Sequence, residues 1–70
     1  MDTSKEREKH GNRIRKAREE AGLTQAQVAK KAGLGANYFA VIERGEVTTS
    51  GVNLQKIANA IGIDISQITK

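Results

Sequence analysis

The sequence contains no cysteine, no proline and no tryptophan, and its aromatic residues are confined to Tyr38 and Phe39. Without cysteine there is no disulfide framework, no thiolate nucleophile and no Cys-based zinc site, which suits a reducing compartment and leaves stability to packing alone. With 70 residues, 37% of them hydrophobic, one small domain is the limit, and its core must be built from small aliphatic side chains. Short helices packed closely serve such a core best. No apolar run is long enough to span a membrane, and residues 1–10 are too charged for a signal peptide, so a cytoplasmic protein is expected. The seven glycines occur singly, which argues against a linker or a low-complexity tract.

Catalytic groups are equally scarce. The one histidine, His10, lies in a polar stretch with no acidic or sulfur ligands at metal spacing. Ser4, Ser50 and Ser66 have no base partner suggested by any motif, and the single glycines form no phosphate cradle. The expectation is a protein that is not an enzyme, with no metal, cofactor or small-molecule substrate.

What the chain does have is basic charge and helical spacing. Twelve Lys and Arg against eight Asp and Glu give a net charge of +4, which either serves solubility or points to a polyanionic partner. Residues 1–10 have no apolar side chain beyond Met1 and read as a mobile arm or a frayed extension of the next helix. A domain is expected over 11–70. Ile14, Ala17, Arg18 and Ala21 follow helical spacing up to Gly22, predicting a helix over about 11–21. Thr24 and Gln27 have capping-box spacing, opening a helix over 25–32 with Val28, Ala29 and Ala32 inward. Gly33, Leu34 and Gly35 separate it from a third helix over 36–44, which makes a helix-turn-helix candidate. Ser50 is placed to cap a fourth helix over 51–61, buried through Val52, Leu54, Ile57, Ala58 and Ile61. A short fifth helix over 65–69 has Asp64 as its cap, with Ile65 and Ile68 returning to the core. The fold class expected is all-α, a compact globule of five helices.

The most specific signal lies within 25–42. Ala29 stands four residues before Gly33, Leu34 follows the glycine, and Phe39 and Ile42 come six and nine residues after it. Two helices crossing steeply across a short turn need a small side chain where they touch, and the turn needs a residue that accepts positive φ. Ala29 and Gly33 supply these. With GLTQAQVAKKAGL, NYFAVIERGE and LQKIANAIGI as they stand here, the chain resembles the helix-turn-helix domain of phage repressor, Cro and XRE-type regulators from Gly11 to about Ile68. The resemblance implies a lambda-repressor-like fold, helix three in the major groove of double-stranded DNA, and a homodimer on a palindromic operator.

With Phe39 and Ile42 inward and about 100° per residue, Asn37, Val41 and Arg44 fall on the outer face, with Ala40 beside them and Ala36 at the exposed end. Asn37 either makes a bidentate contact to adenine or is an ordinary polar residue on a solvated face; Ala36, Ala40 and Val41 suit thymine methyls. Several phage repressors carry Gln or Ser where this chain has Ala36, Ala40 and Val41, so direct readout should be sparse and DNA deformability should matter. Tyr38, on the flank, either approaches the DNA or packs over helix two.

Backbone contacts are expected from Gln25, where the resemblance implies a phosphate, and from Arg44, Thr48, Thr49 and Ser50. Asn12, Arg13 and the arm residues Lys5, Arg7 and Lys9 are weaker candidates, opposed by Glu6, Glu8 and Glu46. Lys30 and Lys31 fit the C-terminal dipole of helix two without any partner. The resemblance also implies a structural ion pair between Arg18 and Glu43. Ile63, Ile65 and Ile68 are either a dimer face or ordinary core. The competing function is a protein-interaction module that uses the same scaffold without DNA. Phage repressor, restriction-modification controller, antitoxin and general regulator all fit the pattern.

Overall fold

The computed structural model describes residues 3–70 and contains helices α1 (Thr3–Glu20), α2 (Gln25–Ala32), α3 (Ala36–Glu43), α4 (Gly51–Ile61) and α5 (Ser66–Thr69). There are no strands among the described residues. Every helix sends side chains to one core: Ile14 from α1, Val28, Ala29 and Ala32 from α2, Phe39 and Ile42 from α3, Leu54, Ile57, Ala58 and Ile61 from α4, and Ile68 from α5. Phe39, the largest, is fully buried at its centre. Leu34, Val47, Ile63 and Ile65 close the core at its edges, half-buried.

The first helix differs from the sequence-based expectation. It begins at Thr3 rather than near Gly11, so of the two readings of residues 1–10 the structure shows the helix extension and not a mobile arm over 3–10, with Met1 and Asp2 outside the described residues. The cause is tertiary. Arg7 donates from Nε to the carbonyl of Gly45 (3.2 Å), and the backbone of Glu8 lies so close to Gly45 that a Cβ there would stand 2.8 Å from the Glu8 Cα. Gly11 is a mid-helix residue where α1 crosses the end of α3, and a Cβ on it would run into the Ile42 and Glu43 carbonyls. A glycine inside a helix costs about 1 kcal/mol relative to alanine. Here it permits the close crossing.

Smaller differences have local causes. Val52 is 66% exposed although its spacing matched the core pattern, because the inward arc of α4 is already filled from Leu54 to Ile61. The third helix closes at Glu43, one residue before the expected Arg44. The last begins at Ser66 rather than Ile65, which makes Ile65 the N-cap in place of the expected Asp64. Ile65 offers no side-chain cap, and the Asp64 carboxylate instead accepts the Ser66 N–H from one residue further out (2.8 Å). That bond also holds the Asp64 carboxyl below the usual range.

Candidate nucleic-acid interface

The α2–turn–α3 unit is fixed at both ends of its first helix. The hydroxyl of Thr24 accepts the Gln27 N–H (3.1 Å) and the Gln27 side chain accepts the Thr24 N–H (2.8 Å), a complete capping box. At the other end Gly33 adopts φ +71, and the Leu34 N–H reaches back to the Ala29 carbonyl (2.9 Å). This left-handed closure turns the chain within three residues, so α3 starts at Ala36 in a fixed direction.

Phe39, Ile42 and Glu43 bury one side of α3, leaving Ala36, Asn37 and Tyr38 exposed and Ala40 and Val41 half-buried. The outer face is therefore a carboxamide set among small apolar side chains, with a phenol at its flank. Two side-chain networks brace this face.

The first lies where α1, α2 and α3 meet. Arg18 donates from Nε to Glu43 Oε2 (2.6 Å), from Nη2 to Glu43 Oε1 (3.2 Å) and from Nη1 to the Leu23 carbonyl (2.9 Å). The Glu43 side chain is only 3% exposed, and Gln25 Nε2 also donates to its Oε1 (3.2 Å). The hydrogen bond with Glu43 raises the Arg18 guanidinium above its ordinary value. Glu43 is thus a buried anion that orients Arg18 and, through one amide proton, the Gln25 carboxamide at the start of α2. The second Gln25 amide proton and its oxygen remain for other partners.

The second network ties α3 to α4. The Tyr38 hydroxyl lies 3.0 Å from Thr49 Oγ1, and Asn53 Nδ2 donates to both, at 3.4 and 3.0 Å. Ser50 caps α4 by accepting the Asn53 N–H (3.1 Å). Arg44, directly after α3, makes a two-pronged pair with Glu46 (2.9 and 3.2 Å), which raises Arg44 and lowers Glu46 relative to their ordinary values. Both are more than half exposed, so this pair is readily exchanged for another anion.

Of the residues singled out in the sequence, Arg18, Gln25 and Glu43 form one group and Tyr38, Thr49 and Ser50 border a second, with Arg44 and exposed Thr48 nearby in the chain. Asn12 and Arg13 are bonded elsewhere. Arg13 donates to the Ile68 carbonyl (3.3 Å) and Asn12 accepts from Arg15 (3.4 Å), which places their hydrogen bonds on α1 and α5. The sequence reading missed Asn53, the pairing of Glu46 with Arg44 and the bracing role of Arg7. Asn53 had a visible signal in its position three residues after Ser50, but only its backbone role could be read from that spacing. Among the described residues no group of three acidic, histidine or cysteine side chains could hold a metal, and no helix is long and apolar enough to cross a membrane.

A capped helix, a tight glycine turn and a second helix with an exposed outer face, all seated in a five-helix globule, define a helix-turn-helix domain of the DNA-binding type. Residues 14–68 match the helix-turn-helix family model, and the chain belongs to the XRE-type helix-turn-helix family. It is similar to the immunity repressor protein of Bacillus phage phi105, 45% identical over 58 residues that make up 83% of this chain and 40% of that protein. It is also similar to the control protein C.MunI of Mycoplasma sp, 37% identical over 83% of this chain and 80% of the relative. Among solved structures it resembles the restriction-modification controller protein C.AhdI of Aeromonas hydrophila, with a TM-score of 0.86 and 35% identity over 89% of this chain and 94% of that one. The chain thus spans about two fifths of the phage repressor's length and most of the controllers'. These relatives are regulators rather than enzymes, and they support DNA-binding transcriptional regulation.

Proposed function

We propose that this chain is a cytoplasmic transcriptional regulator that binds a palindromic operator as a homodimer, with α3 in the major groove. The observation that carries this reading is the outer face of α3: Asn37 exposed among Ala36, Ala40 and Val41, on a helix held rigidly by the capped α2 and by the buried Arg18–Glu43 pair. Asn37 reads adenine through its carboxamide, the three small side chains meet thymine methyls, and Tyr38 touches a base edge or the backbone. Gln25, Arg44, Thr48, Thr49 and Ser50 hold phosphates on either side of the groove. Asn12 and Arg13 add at most flanking contacts, since both are engaged within α1 or with α5. Half-buried Ile63 and Ile65 are available to a second copy, whereas Ile68 is core.

The name of the phage relative, an immunity repressor, favours a repressor-type role. The test is titration of a random-sequence duplex at several salt concentrations. Contact with phosphates gives a log–log slope of about 0.9 per phosphate neutralised. A protein-interaction module would give no binding and no slope.

A further inference from the structure

The Tyr38–Thr49–Asn53 cluster has a proton count that sets its chemistry. The Asn53 amide nitrogen only donates, and it donates to both hydroxyl oxygens, Tyr38 Oη at 3.4 Å and Thr49 Oγ1 at 3.0 Å. The two hydroxyls lie 3.0 Å apart and share one proton between them. Two hydroxyls carry two protons, so one is left over. If Tyr38 donates to Thr49, the threonine proton is free; if Thr49 donates to Tyr38, the phenol proton is free. In either arrangement one O–H has no acceptor inside the cluster, and because the cluster is partly solvent-exposed that proton is available to an outside group.

We propose that Tyr38, Thr49 and Asn53 together form a single-proton donor site for a non-bridging oxygen of a phosphodiester, with Asn53 as the positioning residue that turns both hydroxyls into acceptors on their inner sides. This rests on the DNA-binding reading above and adds to it a ligand atom and a residue outside the contact set. Thr49 lies in the segment leading into α4 and Tyr38 in the first turns of α3, so the site spans the joint between these helices. An anionic oxygen is the acceptor that suits it, since the surplus proton is a donor and hydrogen bonds to charged acceptors are the stronger kind.

The count makes an unusual demand. Either hydroxyl alone, with Asn53 donating to it, still has one proton to give outward. Loss of one hydroxyl is therefore largely covered by the other, and loss of both is not. The test is a double-mutant cycle in the full chain with Tyr38→Phe, Thr49→Val and the pair together, titrated against a random-sequence duplex at fixed salt, with thermal unfolding recorded for each. Each single variant is expected to weaken binding about twofold to threefold, and the pair about tenfold or more beyond the product of the singles. Asn53 has a separate readout, because Tyr38 is the sole tyrosine in a chain without tryptophan. In Asn53→Ala the tyrosine fluorescence anisotropy of the free protein should fall and duplex affinity should drop severalfold while the unfolding midpoint stays near the parent's. Additive losses in the cycle, or an unchanged anisotropy in Asn53→Ala, overturn the site alone. A parent protein that binds no duplex at any salt overturns the DNA reading and the site with it.

Discussion

Replacing Arg18 by alanine tests the joint that holds the recognition face. The substitution removes three hydrogen bonds, two of them to a carboxylate whose side chain is 3% exposed, and leaves Glu43 with Gln25 as its remaining donor. Breaking a buried pair by removing one partner costs about 3–5 kcal/mol, because the surviving charge stays desolvated. The Leu23 carbonyl loses its guanidinium donor in addition. A domain of 70 residues has about 3.5–10 kcal/mol of total stability at about 0.05–0.15 kcal/mol per residue, so the loss is a third or more of the whole. At about 4–8 °C per kcal/mol, the midpoint should fall by roughly 12 °C or more. Urea and thermal denaturation followed by circular dichroism measure it. Replacing both partners with apolar residues, as in Arg18→Met with Glu43→Leu, should cost clearly less than Arg18→Ala, since no charge is then stranded. An Arg18→Ala protein within about 1 kcal/mol of the parent would refute the reasoning, because it would mean that water reaches Glu43.

Other consequences are equally direct. Gly45→Ala places a side chain at φ +72 and against the backbone of Glu8, so it should destabilise by about 1–3 kcal/mol and release the start of α1, seen as lost amide protection over residues 4–10. Asn37→Ala should narrow the affinity gap between preferred and random duplexes while changing random-duplex affinity little. Arg44→Ala should instead weaken all sequences alike and lower the salt slope by about one. Asp64 and Glu46 both have carboxyls held below the usual range, Asp64 by the Ser66 N–H and Glu46 by Arg44. A depressed folded value adds stability above the unfolded value and loses it as pH falls through the folded one, so acid below the usual carboxylate range should destabilise the fold. Asp64→Asn, which keeps an oxygen for Ser66, should flatten that part of the curve.

How far the sequence could be read follows from where each signal arises. The α2 capping box, the Gly33 turn and the Phe39–Ile42 stripe are local patterns, and five helices follow from them and from the spacing along α4. The start of α1 was not legible because residues 4–10 present no apolar stripe. Their helix is held by the Glu8 backbone packed on Gly45 and by the Arg7 guanidinium on the Gly45 carbonyl, contacts between positions 37 and 38 residues apart. Val52 matched the helical period but sits beyond the arc that the core needs. The same limit applies to the candidate interface. Exposure of Asn37 follows from helix geometry, whereas the Asn53 amide holding Tyr38 and Thr49, and the Gln25 amide held by Glu43, depend on how separate helices pack.

The most direct test of the central claim is selection of bound sequences from a random duplex library at physiological salt, with the mass of the complex measured on the enriched duplex. The account predicts a palindromic motif bound by two chains, with A·T positions prominent under Asn37. Absence of enrichment at every salt concentration, from a folded protein, would contradict it.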